Sequence, residues 1–352
     1  MSAPPAARKM PSGPDPWTLC VAPMMDWTDR HCRYFHRLLA PAARLYTEML
    51  TTGAVVHGDR DRLLGFDPAE HPVALQLGGS EPDELARAAR IGAEAGYDEI
   101  NLNCGCPSDR VQKGRFGACL MTEPERVRDG VAAMRAAVDV PVTVKTRIGV
   151  DEHDSEAFLH RFVGTVAACG VDTFIIHARK AWLSGLSPKE NREIPPLHPE
   201  RVYRLVETFP DLRIVLNGGL TDATLAQDQL DRVHGVMLGR AAYQMPWVLA
   251  RLSARLGRCG LESRADAVRA MHAYAVREHR RGVRPAAIAR HMLGLFHGQP
   301  GARTWRRTLS QRMHRPDAHP DLLLEALEAM PRGPRATPAA ACTAGEEIAG
   351  RC

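Results

Sequence analysis

From Leu19 to about Arg255 the chain alternates short apolar runs with longer amphipathic segments. The runs that predict strands are Leu19 to Ala22, Leu45 to Thr47, Pro72 to Leu77, Asp98 to Leu102, Val142 to Arg147, Thr173 to His177, Arg213 to Leu216 and Gly235 to Leu238, eight in all. Helical patterns lie between most of them, at Glu81 to Glu94, Glu123 to Val138, Ser155 to Cys169, Pro199 to Thr208 and Asp222 to Leu230. Eight strands alternating with crossover segments over this length fit an α/β fold of the (β/α)8 TIM-barrel kind better than an open sheet. A doubly wound sheet would want a Gly-x-Gly-x-x-Gly turn after an early strand, and the sequence has none. Asp26 with Asp29, and Ser80 with Asp83, put carboxylates where helix N-termini have free N–H groups.

Beyond about Leu261 the strand signal stops. Helical patterns follow at Ala265 to Arg280, Pro285 to Phe296, Gly301 to Met313 and Asp321 to Met330. The expected division is therefore a loose tail over 1–16, a catalytic barrel over 17–257, a small C-terminal helical domain over 258–330 and a disordered, low-complexity tail over 331–352.

Composition narrows the class. The 352 residues are 45% hydrophobic and 25% charged, an ordinary globular balance. Neither an apolar leader nor a membrane-length apolar run is present. Nine cysteines at irregular spacings suit reduced thiols in the cytoplasm rather than a disulfide framework. Cys104 and Cys106 form C-x-C rather than the C-x-x-C of common zinc sites, so no metal is expected. The net charge is only +5, but nine arginines and no acidic residue lie between Arg280 and Arg315, a block that suggests a polyanionic partner. Lysine is rare, with five in the chain, and four of these (Lys113, Lys145, Lys180 and Lys189) fall in its motif-bearing part.

In a barrel, functional groups gather at the C-terminal strand ends. Standing there are Pro23, Met24 and Met25, then Gln76, the run Asn101 to Cys106, Lys145 with Arg147, His177, Asn217-Gly218-Gly219 and Gly239-Arg240. The last two loops bring small residues and open backbone N–H groups side by side, an arrangement that cradles a phosphate in many barrels. A phosphorylated cofactor held there would lie across the mouth, with Lys145, Gln76 and His177 at its polar edge and Pro23, Met24 and Met25 against a ring. Flavin mononucleotide (FMN) matches that outline. Cys106, in a Gly-Cys-Pro loop directly after a buried strand, is placed as a reactive group, with nucleophile and acid both open.

These residues together resemble the tRNA-dihydrouridine synthase family, and most closely its A subfamily, which acts on uridines 20 and 20a of the D loop. The resemblance rests on Ala22-Pro-Met-Met-Asp-Trp-Thr-Asp-Arg-His-Cys-Arg33, Leu45 to Met49, Leu75 to Gly79, Asn101 to Met121, Val144 to Gly149, Ile176 to Arg192, Asn217 to Gly219, Gly235 to Arg240 and Leu295 to Arg307. It implies an FMN-dependent, NADPH-driven reduction of the C5=C6 bond of uracil in tRNA. By position, Cys106 would be the proton donor, and Pro23, Met24, Met25, Gln76, Lys145, His177, Asn217, Gly218, Gly219, Gly239 and Arg240 would bind FMN. Asn103, Lys189, Arg192, Arg303 and Arg306 would contact tRNA. A thiol in water is mostly protonated at neutral pH, so acid chemistry is open to it. The target base must leave its stack to reach the flavin. Cys104 departs from the family pattern, which has a small apolar residue there. A monomer is expected. The rival readings are a flavin reductase for a free pyrimidine or an enone, and a non-catalytic tRNA-binding factor on a degenerate barrel.

Overall fold

The computed structural model describes residues 15–108, 111–112, 114–258 and 260–331. Residues 1–14 and 332–352 of the expected tails lie outside these, as do Lys9 and Lys113. The strands are β1 (Leu19–Val21), β2 (Arg44–Tyr46), β3 (Leu50–Thr51), β4 (Val73–Gly78), β5 (Glu99–Cys104), β6 (Val142–Arg147), β7 (Thr173–His177), β8 (Arg213–Asn217) and β9 (Gly235–Leu238). All eight expected strands are among them. They pair in parallel, β1 with β9 at one seam and β2 with β4 at the other, where Leu45 stands opposite Val73, so the sheet closes. The unexpected β3 adds two residues beside Leu77 and Gly78 at the end of β4. It was too short to show periodicity, as were the helices Thr52–His57 and Arg60–Leu64 that follow it.

Alternation within each strand separates two environments. On β5, Ile100, Leu102 and Cys104 face the surrounding helices and join the main apolar core. Glu99, Asn101 and Asn103 alternate with them and line the interior of the barrel. Burying each large apolar side chain of the outer layer contributes roughly 1.5–3 kcal/mol, which is what holds helices and barrel together. At the closed end of the barrel, Trp17 lies between the guanidinium groups of Arg44, 4.5 Å away, and Arg213, 4.6 Å away.

The helix starts differ in one respect from expectation. Asp29 does cap the helix Arg30–Leu39, its Oδ1 accepting from the Cys32 N–H at 2.9 Å. Ser80 caps nothing: the next helix, Pro82–Glu94, begins with Pro82 in its first turn and Glu81 before it, with no side-chain cap. Proline suits that place because the missing N–H would have been unpaired anyway.

The C-terminal region is helical, with Arg264–His279, Pro285–Ala289, Ala302–Arg312 and Leu322–Glu328 as its α-helices. It is fastened to the first barrel helix by polar and aromatic contacts. Tyr274 stacks on Tyr34 at 3.9 Å and its hydroxyl meets His31 Nδ1 at 2.7 Å. Asp29 takes Arg290 at 2.5 Å and His291 at 3.0 Å. Burial pushes the Asp29 carboxyl upward, but His291, the Cys32 N–H and Arg290 outweigh it and hold it well below the usual carboxylate range.

Asp29→Asn is expected to cost roughly 1–3 kcal/mol at neutral pH, read as a lower denaturation midpoint. Because the folded carboxyl sheds its proton more readily than a free one, this contribution is present above the ordinary value of 3.8 and is lost as the pH falls below it. The gap between wild type and variant should therefore close in acid. A gap that stays constant with pH would contradict the assignment.

Candidate active site

Cys106 stands two residues past the end of β5, half-buried, at the barrel mouth. Its loop is held from several sides. Asn103 Oδ1 accepts from the N–H groups of Gly105 at 3.0 Å and Cys106 at 2.9 Å. The Cys106 carbonyl accepts from the Ala118 N–H at 2.9 Å. That approach requires Gly117, whose φ is +78° and whose hypothetical Cβ would lie 2.5 Å from the Cys106 carbonyl oxygen. The thiol itself is 3.5 Å from the Ser108 hydroxyl. Cys104, although a near neighbour in sequence, points the other way into the core; burial pushes its thiol far up and leaves it inert.

The Gly105 carbonyl is tied to β6. Arg147 Nε donates to it at 2.8 Å, while Nη1 donates to the carbonyls of Lys180 at 3.0 Å and Asn191 at 2.9 Å. One buried guanidinium thus joins the loop after β5 to two points of the loop after β7. Asn191 is fully buried and organises its own segment: its Nδ2 donates to the carbonyls of Trp182 and Leu186, and its Oδ1 accepts from the Trp182 N–H. Lys189 and Arg192 flank Asn191, so Arg147 sets the place of both, and both are exposed on the rim. No carboxylate pairs with Arg147 or Lys145 among the described residues. Burial lowers Arg147 to about 10.

Lys145 lies two residues before Arg147 and so on the same face of β6. Its Nζ donates to Asn217 Oδ1 at 3.1 Å, and Asn217 Nδ2 donates to the Met237 carbonyl at 2.8 Å. Burial first, then the charges of Arg147 and Arg192, bring Lys145 down to about 7, with Cys106 acting in the opposite sense. His177, paired across from Arg147, is driven well below its ordinary value by burial and the same cations, and is therefore neutral. Gln76 is buried beside them, donating to Asn101 at 2.8 Å and accepting from Asn103 at 2.9 Å.

The remaining expected cofactor residues border this group. Pro23, Met24 and Met25 form a loop after β1, pinned where Thr28 Oγ1 accepts from the Met24 N–H at 2.9 Å, and Met25 is 57% exposed. Gly218 and Gly219 have φ of +103° and +74°, and a Cβ on Gly218 would stand 2.6 Å from the His177 ring. Gly239 faces open space, its nearest neighbours being Ala22 and the Met24 sulfur at 3.8 and 3.9 Å from a hypothetical Cβ. Arg240 turns toward the loop after β7, pairing with Glu193 at 2.5 Å. This surface fits a flavin. The glycine pair leaves backbone uncovered, a thioether and a proline offer apolar contact, and a buried amine with one neutral partner has capacity for an anionic edge.

The arginine block is less uniform than its sequence suggested. Arg281 pairs with Glu278, Arg290 with Asp29 and Arg312 with Glu325, acids from outside the block. Arg303, Arg306 and Arg307 share the exposed side of one helix with no ion pair among the described residues. Arg147 and Asn191 are the site residues whose roles the sequence did not reveal. Their signal was period-two spacing from Lys145 for the one, and nothing local for the other.

The model of the dihydrouridine synthase family matches residues 20–331. A tRNA-dihydrouridine(20/20a) synthase of Xanthomonas axonopodis pv. citri is 58% identical over 310 residues, which cover 88% of this chain and 93% of that one. Its counterpart in Vibrio cholerae is 55% identical over 318 residues, covering 89% and 96%. Among solved structures, a 2-naphthoyl-CoA reductase shares the fold, with a TM-score of 0.50 at 10% identity over 68% of this chain and 50% of that one.

The lowered Lys145 has a measurable sign. Between about 7 and 10.5 the unfolded chain keeps a proton that the folded site has released, so stability should rise with pH across that window. Lys145→Met should remove this part of the slope in cofactor-free protein, as read by denaturant unfolding at several pH values. Equal slopes for wild type and variant would show that the amine is not desolvated as described.

Proposed function

The chain belongs to the dihydrouridine synthase family, flavin-dependent oxidoreductases that reduce uridine in tRNA, and from that premise we propose that it converts uridines 20 and 20a of the D loop to 5,6-dihydrouridine. FMN is the proposed cofactor and NADPH its transient reductant. The observation that carries the reading is the placement of a half-buried thiol, Cys106, at the mouth beside a desolvated amine, Lys145, with three cradling loops around them.

Bound FMN supplies the hydride that is added to C6 of the uracil ring. The protein's part is to complete the saturation. As C6 gains a hydride, charge develops on the C4 carbonyl oxygen and at C5, and Cys106 Sγ–H gives its proton to C5. The bond made is C5–H and the bond broken is S–H; the thiolate is then reprotonated from solvent. Asn103 and Arg147 hold the loop during this transfer. Lys145, Gln76, His177 and Asn217 meet the polar edge of the ring system, Pro23, Met24 and Met25 its apolar body, and Gly218, Gly219, Gly239 and Arg240 the phosphate side. Lys145 gains a proton readily when an anionic partner arrives, which suits a cofactor that becomes more negative on reduction.

The substrate is a base inside a folded tRNA, which must swing out of its stack. Lys189 and Arg192, on the rim segment tied to Arg147, are proposed to meet the displaced nucleotide together with the remaining N–H of Asn103. Residues 258–330 form the proposed tRNA-binding domain, with Arg303 and Arg306 toward the phosphate backbone, so recognition rests on the shape of the tRNA. A reductase of free pyrimidines or enones would give the exposed face bearing Arg303, Arg306 and Arg307 no purpose. We place the enzyme in the cytoplasm as a monomer, with its tRNA substrate.

Mapping dihydrouridine in tRNA from a strain lacking this gene should show loss at positions 20 and 20a, restored by wild type and not by Cys106→Ala. Cys106→Ala should still purify as a yellow protein; full activity in it would remove the thiol from the mechanism. Binding of tRNA should weaken steeply with salt, and Arg303→Ala with Arg306→Ala should flatten that dependence by about one unit of slope per lost phosphate contact. An unchanged salt response would remove these two residues from the interface.

A further inference from the structure

Glu99 is fully buried at the closed end of the barrel, far along β5 from the chemistry. Its carboxylate accepts from Trp17 Nε1 at 2.8 Å, Tyr46 Oη at 2.9 Å and Thr143 Oγ1 at 2.5 Å, and pairs with Arg44 at 3.1 Å. From Thr143 the hydrogen bonds continue upward. Asn101 Nδ2 donates to Thr143 Oγ1 at 2.7 Å, Gln76 Nε2 to Asn101 Oδ1 at 2.8 Å, and Asn103 Nδ2 to Gln76 Oε1 at 2.9 Å. The last link is the pair of N–H groups of Gly105 and Cys106 on Asn103 Oδ1.

Strand register builds this chain. Gln76, Asn101 and Thr143 stand side by side across β4, β5 and β6, while Glu99, Asn101 and Asn103 alternate along one face of β5. Its polarity is fixed chemically at both ends. A carboxylate can only accept, so the Thr143 hydroxyl donates downward and each amide above it must do the same. Backbone N–H groups can only donate, which demands an oxygen from Asn103 at the top. A primary amide by itself presents either its oxygen or its NH2 group at nearly equal cost, and here the two ends agree on one choice for all three.

We propose that Thr143 and Asn101 are positioning residues, which through this oriented chain set the amide of Gln76 toward the flavin and the amide of Asn103 under the Cys106 loop. The inference rests on the roles given above to Gln76 and Cys106. Turning Gln76 over would exchange donor and acceptor at the ring edge. Turning Asn103 over would aim an NH2 group at two N–H groups and release the loop that places the thiol. Neither Thr143 nor Asn101 need touch the substrate to have these effects.

The test uses flavin-loaded Thr143→Val, which keeps the shape and deletes the hydroxyl, alongside Thr143→Ser, which restores it. Two quantities are read: the rate at which iodoacetamide alkylates Cys106, mapped by mass spectrometry, and kcat and KM for uridine reduction in unmodified tRNA. The expected result for Thr143→Val is faster alkylation of Cys106 and a roughly tenfold lower kcat at unchanged KM, about what one net hydrogen bond is worth, with Thr143→Ser close to wild type in both. Wild-type alkylation and turnover in Thr143→Val would overturn the proposal, as would a Thr143→Ser variant as impaired as Thr143→Val, since the fault would then lie in packing. Should Thr143→Val not fold, Thr143→Ala makes the same comparison with no added methyl group. A wild-type protein that makes no dihydrouridine would sink the functional reading, while the alkylation comparison would still decide the role of the chain.

Discussion

One buried guanidinium, that of Arg147, organises the mouth of this barrel. It spends its hydrogen bonds on the carbonyls of Gly105, Lys180 and Asn191, so the loop that carries Cys106 and the loop that carries Lys189 and Arg192 share one anchor. Burying a charge away from water is costly unless its donors are satisfied. Here the donors on Nε and Nη1 meet neutral oxygens, and the positive charge is left uncancelled. Its field then acts on everything nearby: it helps lower Lys145 and His177, and leaves a mouth suited to an anionic cofactor and a polyanionic substrate. A carboxylate in place of those carbonyls would have fixed the loops equally well and removed that property.

The interior below continues the same logic with opposite sign. Barrel interiors are usually filled by branched apolar side chains in layers. Along β7 to β9 this one follows the rule with Ile175, Val215 and Met237. Along β4 to β6 it does not: Gln76, Glu99, Asn101, Asn103 and Thr143 fill it, each paired, with the negative charge of Glu99 at the closed end. A partly satisfied network of this kind would be worse than an apolar filling, whereas a fully satisfied one specifies a single arrangement. The polar half lies under Cys106 and the apolar half under the two glycine loops.

Much of this was legible in the sequence, and the limits have physical causes. The eight barrel strands stood out because strands covered by helices are apolar on the outer face and flanked by turn residues. Cys106, Lys145, His177 and the Asn217-Gly218-Gly219 run could be placed at strand ends because strand ends were known once the strands were. The hydrogen bonds that Arg147 and Thr143 make could not, since they join residues more than thirty positions apart and depend on register. A trace of them was present all the same: polar residues at 99, 101 and 103, and at 143, 145 and 147, keep the period of a strand in segments otherwise buried. The arginine block misled in degree, because Asp29, Glu278 and Glu325 return in space to three of its members.

The proposed chemistry requires that electrons held at this site reach uridine in tRNA. The direct measurement is an anaerobic single turnover, in which the reduced, flavin-loaded protein is mixed with unmodified tRNA transcript and both flavin reoxidation and dihydrouridine are followed in time. The proposed chemistry requires that the two appear together in equal amounts and that free uridine leaves the flavin reduced. Reoxidation by tRNA without dihydrouridine, or by free uridine as readily as by tRNA, would contradict it.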